Sequence, residues 1–394
     1  MLTFLILVAI IATAALLMYP PLANAPLWRA TITPLASIIG SGFLVLGPIL
    51  TASYGAYAPL VMASLCLVAY LFGSAIRRNI TELYAGLPRA PWAERLDIAA
   101  SWVLAFAYII SVSYYLNLFG AFGVSLTPLN DAYHARLLTS AVFMLILVVG
   151  WTRGFSALER MEQFSVGLKL AIIAGLLVGL IGYFLRQEAA HQLALTPPSL
   201  TGWAPLMVAF GLIVTVQGFE TSRYLGETYS AATRIESMRM AQGFSTAIYL
   251  IYIVFLTFSF APGDMSLNET AIIDMMAIVA PILPALLVAA ALSAQFSAAV
   301  ADTSGSGGLM TELTRGRVSP RQAYAILVTI GLCLTWAANI FEIISYASRA
   351  FALYYALQAA IAAIGAGRQR HRALGFSALS ALGVAIALFG QSVE

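Results

Sequence analysis

The sequence predicts an all-α, polytopic membrane protein with about twelve transmembrane helices. Of its 394 residues, 61% are hydrophobic and 9% are charged, and the mean hydropathy is +0.89. A soluble domain carries far more charge, about a quarter of its residues. Twelve apolar runs approach or exceed the roughly 20 residues that a helix needs to cross a bilayer. These runs are residues 2–19, 31–52, 56–76, 98–124, 136–152, 162–185, 203–226, 239–261, 277–305, 322–339, 341–366 and 373–391.

The distribution of arginine predicts the orientation of the helices. Between the runs, arginines gather in every second loop, and the alternate loops hold only Arg136 and Arg186. Cytoplasmic loops are enriched in basic residues, so the rich side is predicted to be cytoplasmic and both termini external. The first run lacks a preceding basic region, so we expect a retained helix of a cell (inner) membrane protein and not a cleaved signal. The rich side carries Arg29, Arg77, Arg78, Arg89, Arg95, Arg153, Arg160, Arg234, Arg239, Arg315, Arg317, Arg321, Arg368, Arg370 and Arg372.

The order of the runs predicts two halves of five helices each. Because five is odd, the second half runs inverted relative to the first, an arrangement that many secondary transporters use. The predicted parts are an extra helix with its linker (1–29), a first repeat (30–186), an inverted second repeat (187–366) and a C-terminal helix (367–394).

Two of the predicted helices contain small residues at matching positions of the two halves. Gly40-Ser41-Gly42 interrupts the first helix of the first half, and Gly218 lies in the first helix of the second half. Paired interruptions of this kind indicate a solute site, in which main-chain amides hold an anion and carbonyls hold a cation. Close helix packing also favours small residues and stays an alternative. The predicted substrate-binding residues are Ile39, Gly40, Ser41, Gly42, Phe43, Val216, Gln217, Gly218 and Phe219.

Lys169 is the only lysine of the chain and lies inside the run 162–185. An ammonium at the centre of a membrane helix costs about 2.5–3.5 kcal/mol, so such a residue usually has a partner and a role. Lys169 shares a helical stripe with Glu162 and Ser165. It also lies near enough to the cytoplasmic end of the run to snorkel toward the headgroups, which stays an alternative.

The two glycine motifs resemble those of the amino acid–polyamine–organocation (APC) superfamily, whose members share the LeuT-type fold. Ile39-Gly40-Ser41-Gly42-Phe43 is similar to the first-helix pattern of that superfamily. Gly218-Phe219-Glu220 followed by Leu225-Gly226-Glu227 is similar to its sixth-helix pattern, and 293–320 resembles its eighth helix. The resemblance implies a LeuT-type bundle of five plus five inverted helices, with one extra helix before this core and one after it.

The resemblance also implies a role for Lys169, because sodium-independent members carry a lysine there in place of sodium. We expect it to bridge the fifth helix to the first, near Ile38 and Ile39, and to the eighth. The predicted coupling residues are Lys169, Asp302, Thr303 and Ser304. Three alternatives stay open: a lysine that titrates, a permanent pair with Asp302, and a sodium site at the hydroxyls of Thr303 and Ser304. Asp302 itself departs from the family pattern, which has small or hydroxyl residues there.

Glu220 and Arg223 are spaced i, i+3, and Arg223 and Glu227 i, i+4. This spacing favours a pairing network in the cytoplasmic half over a substrate contact.

The predicted function is secondary transport of a small organic solute, most simply an amino acid or a related amine or carboxylate. A membrane-embedded enzyme lacks support from any nucleophile or metal motif, and a sensor or scaffold without transport is the other alternative. Cys66 and Cys333 lie in apolar runs and the three histidines are scattered, so no cofactor and no metal is predicted apart from sodium in the alternative above. The expected partners are the solute, the lipid bilayer and protons, without nucleic acid. The sequence leaves the solute and the oligomeric state open.

Overall fold

The computed structural model describes residues 1–40, 42–86, 90–152, 156–226, 228–261, 268–367 and 369–393, with the side chains of 156–164 outside this description. Within these ranges the chain is all-helical, without a strand, as predicted. The α-helices are α1 (Leu2–Met18), α2 (Pro20–Ala23), α3 (Pro26–Ile38), α4 (Gly42–Tyr54), α5 (Ala58–Tyr84), α6 (Pro91–Val124), α7 (Ala132–Thr152), α8 (Ser156–Ala189), α9 (Ala204–Gly211), α10 (Ala231–Ser259), α11 (Ala271–Val279), α12 (Leu283–Leu313), α13 (Pro320–Ala337), α14 (Ile340–Gly365) and α15 (Arg370–Phe389). Short 3-10 helices cover Gly55–Tyr57, Ile213–Val216 and Phe219–Tyr224.

Eight helices in the described ranges are long and apolar enough to cross a membrane. They account for eight of the twelve predicted runs. The other four runs fall on the 17-residue α1, on the 18-residue α13, and on two segments that are interrupted within the bundle, α3–α4 and α9 with its 3-10 continuation. The polytopic class is thus supported, whereas the count of twelve spans stays a prediction.

The helices begin where the local sequence provides for their free N–H groups. Proline occupies the first turn of α3, α5, α6, α9, α12 and α13, where its missing N–H costs nothing. Capping boxes start α13, through Ser319 and Gln322, and α14, through Asn339 and Glu342. Each box satisfies two donors that the helix itself leaves free.

The extra N-terminal helix α1 packs on a glycine face of α8. Gly175, Gly179 and Gly182 follow one another at helical spacing, and a methyl at Gly175 would lie 2.6 Å from Ile10 Cγ1. Small residues at such a spacing let two helices approach closely inside a membrane. This contact attaches α1 to the same helix that carries Lys169.

Helices α6 and α12 form an antiparallel pair at the centre of the bundle. Ser306 Oγ donates to the carbonyl oxygen of Ala105 at 3.1 Å, and Ser111 Oγ donates to the carboxylate of Asp302. Further along, the rings of Phe119 and Phe296 lie 6.5 Å apart. Residue numbers therefore fall along α12 as they rise along α6, and this register fixes which residues share a level.

Candidate functional site

The first interruption lies between α3 and α4, deep in the protein. Helix α3 ends at Ile38 and α4 begins at Gly42, and Ile39 and Gly40 between them are buried. The last carbonyls of α3 and the first N–H groups of α4 lack partners within their own helices. The break therefore presents acceptors on one side and donors on the other. Ser41, a predicted substrate-binding residue, lies outside the described residues.

The second interruption follows α9, which ends at Gly211. The 3-10 helix Ile213–Val216 leads to an extended Gln217 and to Gly218, whose φ of 115° lies in the left-handed region. Only glycine adopts this geometry without strain. The Gly218 carbonyl accepts from both the N–H and the hydroxyl of Thr221, at 3.2 and 2.7 Å.

The two interruptions touch each other. A methyl at Gly218 would lie 2.6 Å from Ser37 Cβ and 2.7 Å from the Ile38 nitrogen. The hydroxyl of Tyr249 on α10 lies 2.8 Å from the Ile38 carbonyl oxygen and 2.6 Å from that of Thr215. One hydroxyl, with a single hydrogen to donate, thus lies within hydrogen-bond distance of a carbonyl of each break. The end of α3, at Ser37 and Ile38, therefore lies against Gly218 of the second break.

Aromatic side chains surround the junction of the two breaks. Gln217 Nε2 donates to Tyr115 Oη at 3.0 Å, and a methyl at Gly42 would lie 2.7 Å from Tyr114 Oη. The ring of Phe43 lies 4.3 Å from that of Tyr252. On the second break, the ring of Phe219 stacks on Tyr355 at 5.0 Å. The described members of the predicted substrate set are all buried around this junction, namely Ile39, Gly40, Gly42, Phe43, Val216, Gln217, Gly218 and Phe219.

Lys169 is 4% exposed, and its ammonium donates to the carbonyl oxygen of Ala36 at 2.8 Å. Ala36 lies in the last turn of α3, where the carbonyl has no partner in its own helix and the helix dipole favours a positive charge. The predicted contact with the first helix is present, two residues before Ile38. The Ile38 carbonyl accepts from Tyr249 instead. The buried position of the Lys169 ammonium argues against the alternative in which it snorkels toward the headgroups.

A small cavity of about 20 Å³ lies beside Lys169, between α3, α8 and α12. This volume holds about one water molecule. Lys169 and Asp302 both contribute to its wall, together with Ser37, Ser165 and Ser297. The structure therefore brings the predicted fifth-helix and eighth-helix groups to one place.

The other two predicted coupling residues are placed differently. The hydroxyl of Thr303 donates to the Ala299 carbonyl of its own helix at 2.6 Å. Ser304 is half-buried and is not among the residues that line the cavity. Of the four predicted coupling residues, only Lys169 and Asp302 line the cavity.

Glu220 and Arg223 take partners other than those that their spacing predicted. The Glu220 carboxylate accepts from the Gly218 N–H at 2.9 Å and from Tyr355 Oη at 2.8 Å. Arg223 forms an ion pair with Asp97 on α6 at 2.6 Å and donates to Gln358 on α14. The two side chains therefore have separate partners, and α14 contributes one to each, through Tyr355 and Gln358. Glu227 lies outside the described residues.

A larger cavity of about 510 Å³ lies at the opposite, predicted external end of the two breaks. Its wall combines α4, α9 and α14 with the segment that follows α15. The main chain of Gln391 donates to the Met207 carbonyl on α9 at 3.0 Å. The wall includes Ser53, Ser199, Val208, Arg349, Gln391 and Ser392.

The sequence did not single out several residues that complete the site. Tyr249, Ser111 and Ala36 act through a hydroxyl or a main-chain carbonyl, and their partners lie 34 to 211 positions away along the chain. Two tyrosines three residues apart in the run 239–261, Tyr249 and Tyr252, were the available signal.

An all-helical membrane bundle with two interrupted helices in contact is the architecture of a polytopic transport protein. The family model for APC superfamily transporters matches residues 20–390 of this chain. The chain therefore belongs to the APC superfamily, and the resemblance of its motifs is confirmed. Among similar proteins, an uncharacterized protein of Aquifex aeolicus (strain VF5) is 42% identical over 384 residues, which cover 95% of this chain and 93% of that protein.

Membership of this superfamily indicates a transport protein of a membrane and not an enzyme. It suggests secondary transport, and it leaves the solute and the coupling ion to be determined by experiment.

Proposed function

We propose that this protein is a secondary transporter of a small organic solute, an amino acid or a related amine or carboxylate, that works without sodium. The observation that carries the proposal is the meeting of two broken helices at Tyr249, with buried Gly42 and Gly218 on either side. Free helix ends deep inside a membrane protein attract charged groups of a solute. The predicted set from Ile39 to Phe43 and from Val216 to Phe219 forms the proposed solute site.

A LeuT-type layout accounts for the order of the helices. In this proposal the first repeat (30–186) comprises α3–α4, α5, α6, α7 and α8, and the inverted repeat (187–366) comprises α9 with its 3-10 continuation, α10, α12, α13 and α14. Helix α1 in 1–29 precedes this core and α15 in 367–394 follows it. We further propose that the protein lies in the cell membrane with both termini outside.

The solute would take opposite helix ends with its two charges. The N–H groups at the start of α4, next to Gly42 and Phe43, would donate to a carboxylate. An ammonium would lie toward the carbonyls of Val216 and Gln217, because the Gly218 carbonyl already accepts twice from Thr221. The solute would be small, because Tyr114 and Thr215 lie close to Gly42 and limit the space beside it.

Lys169 and Asp302 are the proposed coupling groups. The two side chains share a cavity with room for about one water molecule. Each also contacts a further helix, Lys169 through Ala36 of α3 and Asp302 through Ser111 of α6. A proton that moves between solvent and this pair would alter the attachment of α3 to α8 and of α12 to α6. Such a change links protonation to the helix that bears the solute site.

The sodium alternative is less well supported. A sodium site at Thr303 and Ser304 needs free carbonyls of the first helix and inward hydroxyls. The Ala36 carbonyl accepts from the Lys169 ammonium, whose charge opposes a nearby cation, and Ser304 is not among the residues that line the cavity.

The test is uptake by purified protein in proteoliposomes, over a panel of radiolabelled amino acids, amines and carboxylates. A proton gradient and a sodium gradient are imposed separately, each with the other ion balanced, and counterflow is measured without any gradient. Uptake driven by the proton gradient, or exchange without either gradient, is the expected result. Sodium-dependent uptake would establish the alternative, and solute binding without uptake in any arm would favour a sensor.

A further inference from the structure

Gln295 on α12 is a polar residue buried inside the helix bundle. Its side chain is 0% exposed, and within the described residues neither its amide nitrogen nor its amide oxygen has a hydrogen-bond partner. A buried amide normally makes such bonds, because leaving them unmade costs a large part of its hydration energy. Leucine or methionine would fill the same place without that cost.

The register of α6 against α12 places Gln295 level with the solute site. Asp302 faces Ser111 and Phe296 lies beside Phe119, so Gln295 faces the turn of α6 that follows Tyr115. Gly40 lies about one turn of α6 away from that level, since a methyl there would be 3.7 Å from the Tyr115 ring. Gln295 is thus about two helical turns, or ~10 Å, from Asp302 toward the external side.

A second carboxamide at this level is also incompletely bonded. Gln217 in the second break is 2% exposed, and its nitrogen donates to Tyr115 Oη at 3.0 Å. Its Oε1 atom has no partner among the described residues. The interior next to the two breaks therefore offers three uncommitted polar atoms on two neutral side chains.

Resting on the proposed function, we infer that Gln295 binds an uncharged hydrogen-bonding group of the solute, a carboxamide or a hydroxyl, in addition to the ends that the helix breaks hold. A carboxamide presents a donor and an acceptor side by side, as does the Gln295 amide, so the two are mutually complementary. Gln217 Oε1 accepts a further hydrogen from the solute. A charged solute side chain would find only neutral partners in these two amides, whereas a purely apolar one would leave all three atoms unsatisfied.

The substitution Gln295→Met should have two opposite effects, because it keeps the length of the side chain and removes both of its polar atoms. Without solute, the variant no longer buries unsatisfied groups, so its melting temperature in detergent stays equal to that of the wild type or rises. With solute bound, the variant lacks the amide that would hydrogen-bond the uncharged polar group of the solute. A site that hydrogen-bonds its ligand discriminates strongly against ligands without that group.

The experiment measures affinity by ligand-induced thermal shift and by competition for uptake. The probes are asparagine, glutamine, serine and threonine as polar solutes, alanine, valine and leucine as apolar ones, and aspartate and lysine as charged ones. We expect the wild type to prefer one of the four polar probes. Gln295→Met should lower the affinity for that probe at least about tenfold. It should also reduce or reverse the ratio of this affinity to that for the apolar probe of similar size.

Gln242→Met is the matched control, because Gln242 is also buried, but its amide oxygen and its amide nitrogen are both hydrogen-bonded. It accepts from Arg77 at 2.6 Å and donates to the Ala69 carbonyl at 2.9 Å. This variant should lower the melting temperature and leave the order of the probes unchanged.

Three results would overturn the inference. A wild type that prefers apolar or charged probes, a Gln295→Met variant with unchanged selectivity, or a variant that melts lower and weakens all probes equally would each assign Gln295 to structure alone. In these cases transport itself persists, so the proposed function survives. A wild type that binds and transports none of these probes, and none of the amines and carboxylates of the uptake panel, would reject both proposals.

Discussion

The ammonium of Lys169 lies 2.8 Å from the main-chain carbonyl oxygen of Ala36. This bond connects the middle of α8 to the end of the first half-helix, three residues before the chain leaves helical geometry at Ile39. A carbonyl in that position has lost its helical partner and carries the negative end of the helix dipole. The ammonium thus satisfies an acceptor that the break created, and the break in turn makes a buried ammonium tolerable.

Replacement of Lys169 by alanine tests this connection. We expect Lys169→Ala to abolish or uncouple proton-driven uptake and to lower stability by about 1–3 kcal/mol, because the Ala36 carbonyl loses its donor inside the bundle. Uptake under a pH gradient and thermal unfolding in detergent measure the two effects. Gly167→Ala is the control, since a methyl at Gly167 of the same helix meets nothing within 4 Å. Sodium-dependent uptake that survives Lys169→Ala would reject the coupling role and favour Thr303 and Ser304.

Gly42 marks the start of α4 and the proposed anion end of the site. Gly42→Val should abolish solute binding, because its first side-chain carbon would lie 2.7 Å from Tyr114 Oη and 3.3 Å from the main-chain Cα of Thr215. We expect a cost of about 1–3 kcal/mol in stability from overpacking, with the fold retained. Equilibrium binding of the preferred solute measures the effect.

Gly243→Val is the matched control for this substitution. Gly243 lies within α10, and nothing lies within 4 Å of a methyl at that position. It should retain binding. Undiminished binding by Gly42→Val itself would move the solute site elsewhere and assign Gly40-Ser41-Gly42 to helix packing.

The helices and their interruptions could be predicted from the sequence, because both follow from local properties. A long apolar run gives a helix in a membrane, and Gly40 and Gly218 lower the cost of leaving helical geometry. The ends of the runs were less well defined. The run 277–305 begins inside α11 (Ala271–Val279), and its main helix is α12 (Leu283–Leu313).

The partners of the buried polar groups could not be predicted, since they depend on how distant helices pack. The i, i+3 spacing of Glu220 and Arg223 suggested a mutual pair, yet Glu220 turns back to the Gly218 N–H and Arg223 reaches Asp97, 126 positions away. Likewise, Lys169 was expected to contact the first helix near Ile38 and Ile39, but the exact acceptor, the Ala36 carbonyl, was not predictable, nor was the contact of the Tyr249 hydroxyl with the Ile38 carbonyl. Such choices are made by tertiary geometry.

The ion pair between Arg223 and Asp97 should contribute strongly to stability. Their side chains are only 10% and 21% exposed and 2.6 Å apart, and removing one member of a buried pair takes the opposite charge away from the other. We expect Arg223→Met to cost about 3 kcal/mol, measured by thermal or chemical unfolding.

A solvated pair provides the comparison for Arg223. Arg239→Met removes a pair with Glu236 whose side chains are 53% and 49% exposed, and this change should cost less than about 1 kcal/mol. Adding Asp97→Asn to Arg223→Met should recover part of the lost stability, because the Asp97 carboxylate, whose ion pair with Arg223 is gone, is then replaced by a neutral amide. Equal costs for Arg223→Met and Arg239→Met would contradict the structural role of the buried pair.

Both termini are predicted to face outward, and cysteine labelling tests this. The exposed Cys333 is replaced by serine, while the buried Cys66 is kept. Cysteines introduced at Thr3 and Ser392 should react with a membrane-impermeant maleimide in intact cells, and one at the exposed Arg317 should react only after the membrane is opened. Labelling of Arg317→Cys from outside, with protection of the other two, would reverse the orientation.

The segment after α15 should regulate access to the cavity of about 510 Å³ at the predicted external end, because it is held against α9. Gln391 N–H donates to the Met207 carbonyl at 3.0 Å, and a methyl at Gly211 would overlap the Gln391 carbonyl. Gly211→Ala should therefore displace residues 390–393 from α9, while α9 itself is retained because alanine has a higher helix propensity than glycine.

Since Gln391 and Ser53 line the same cavity, a cysteine at Ser53 should then react severalfold faster with a water-soluble maleimide. Gly243→Ala, which meets nothing within 4 Å, should leave that rate unchanged. An unchanged rate in Gly211→Ala as well would mean that the segment does not limit entry to the cavity.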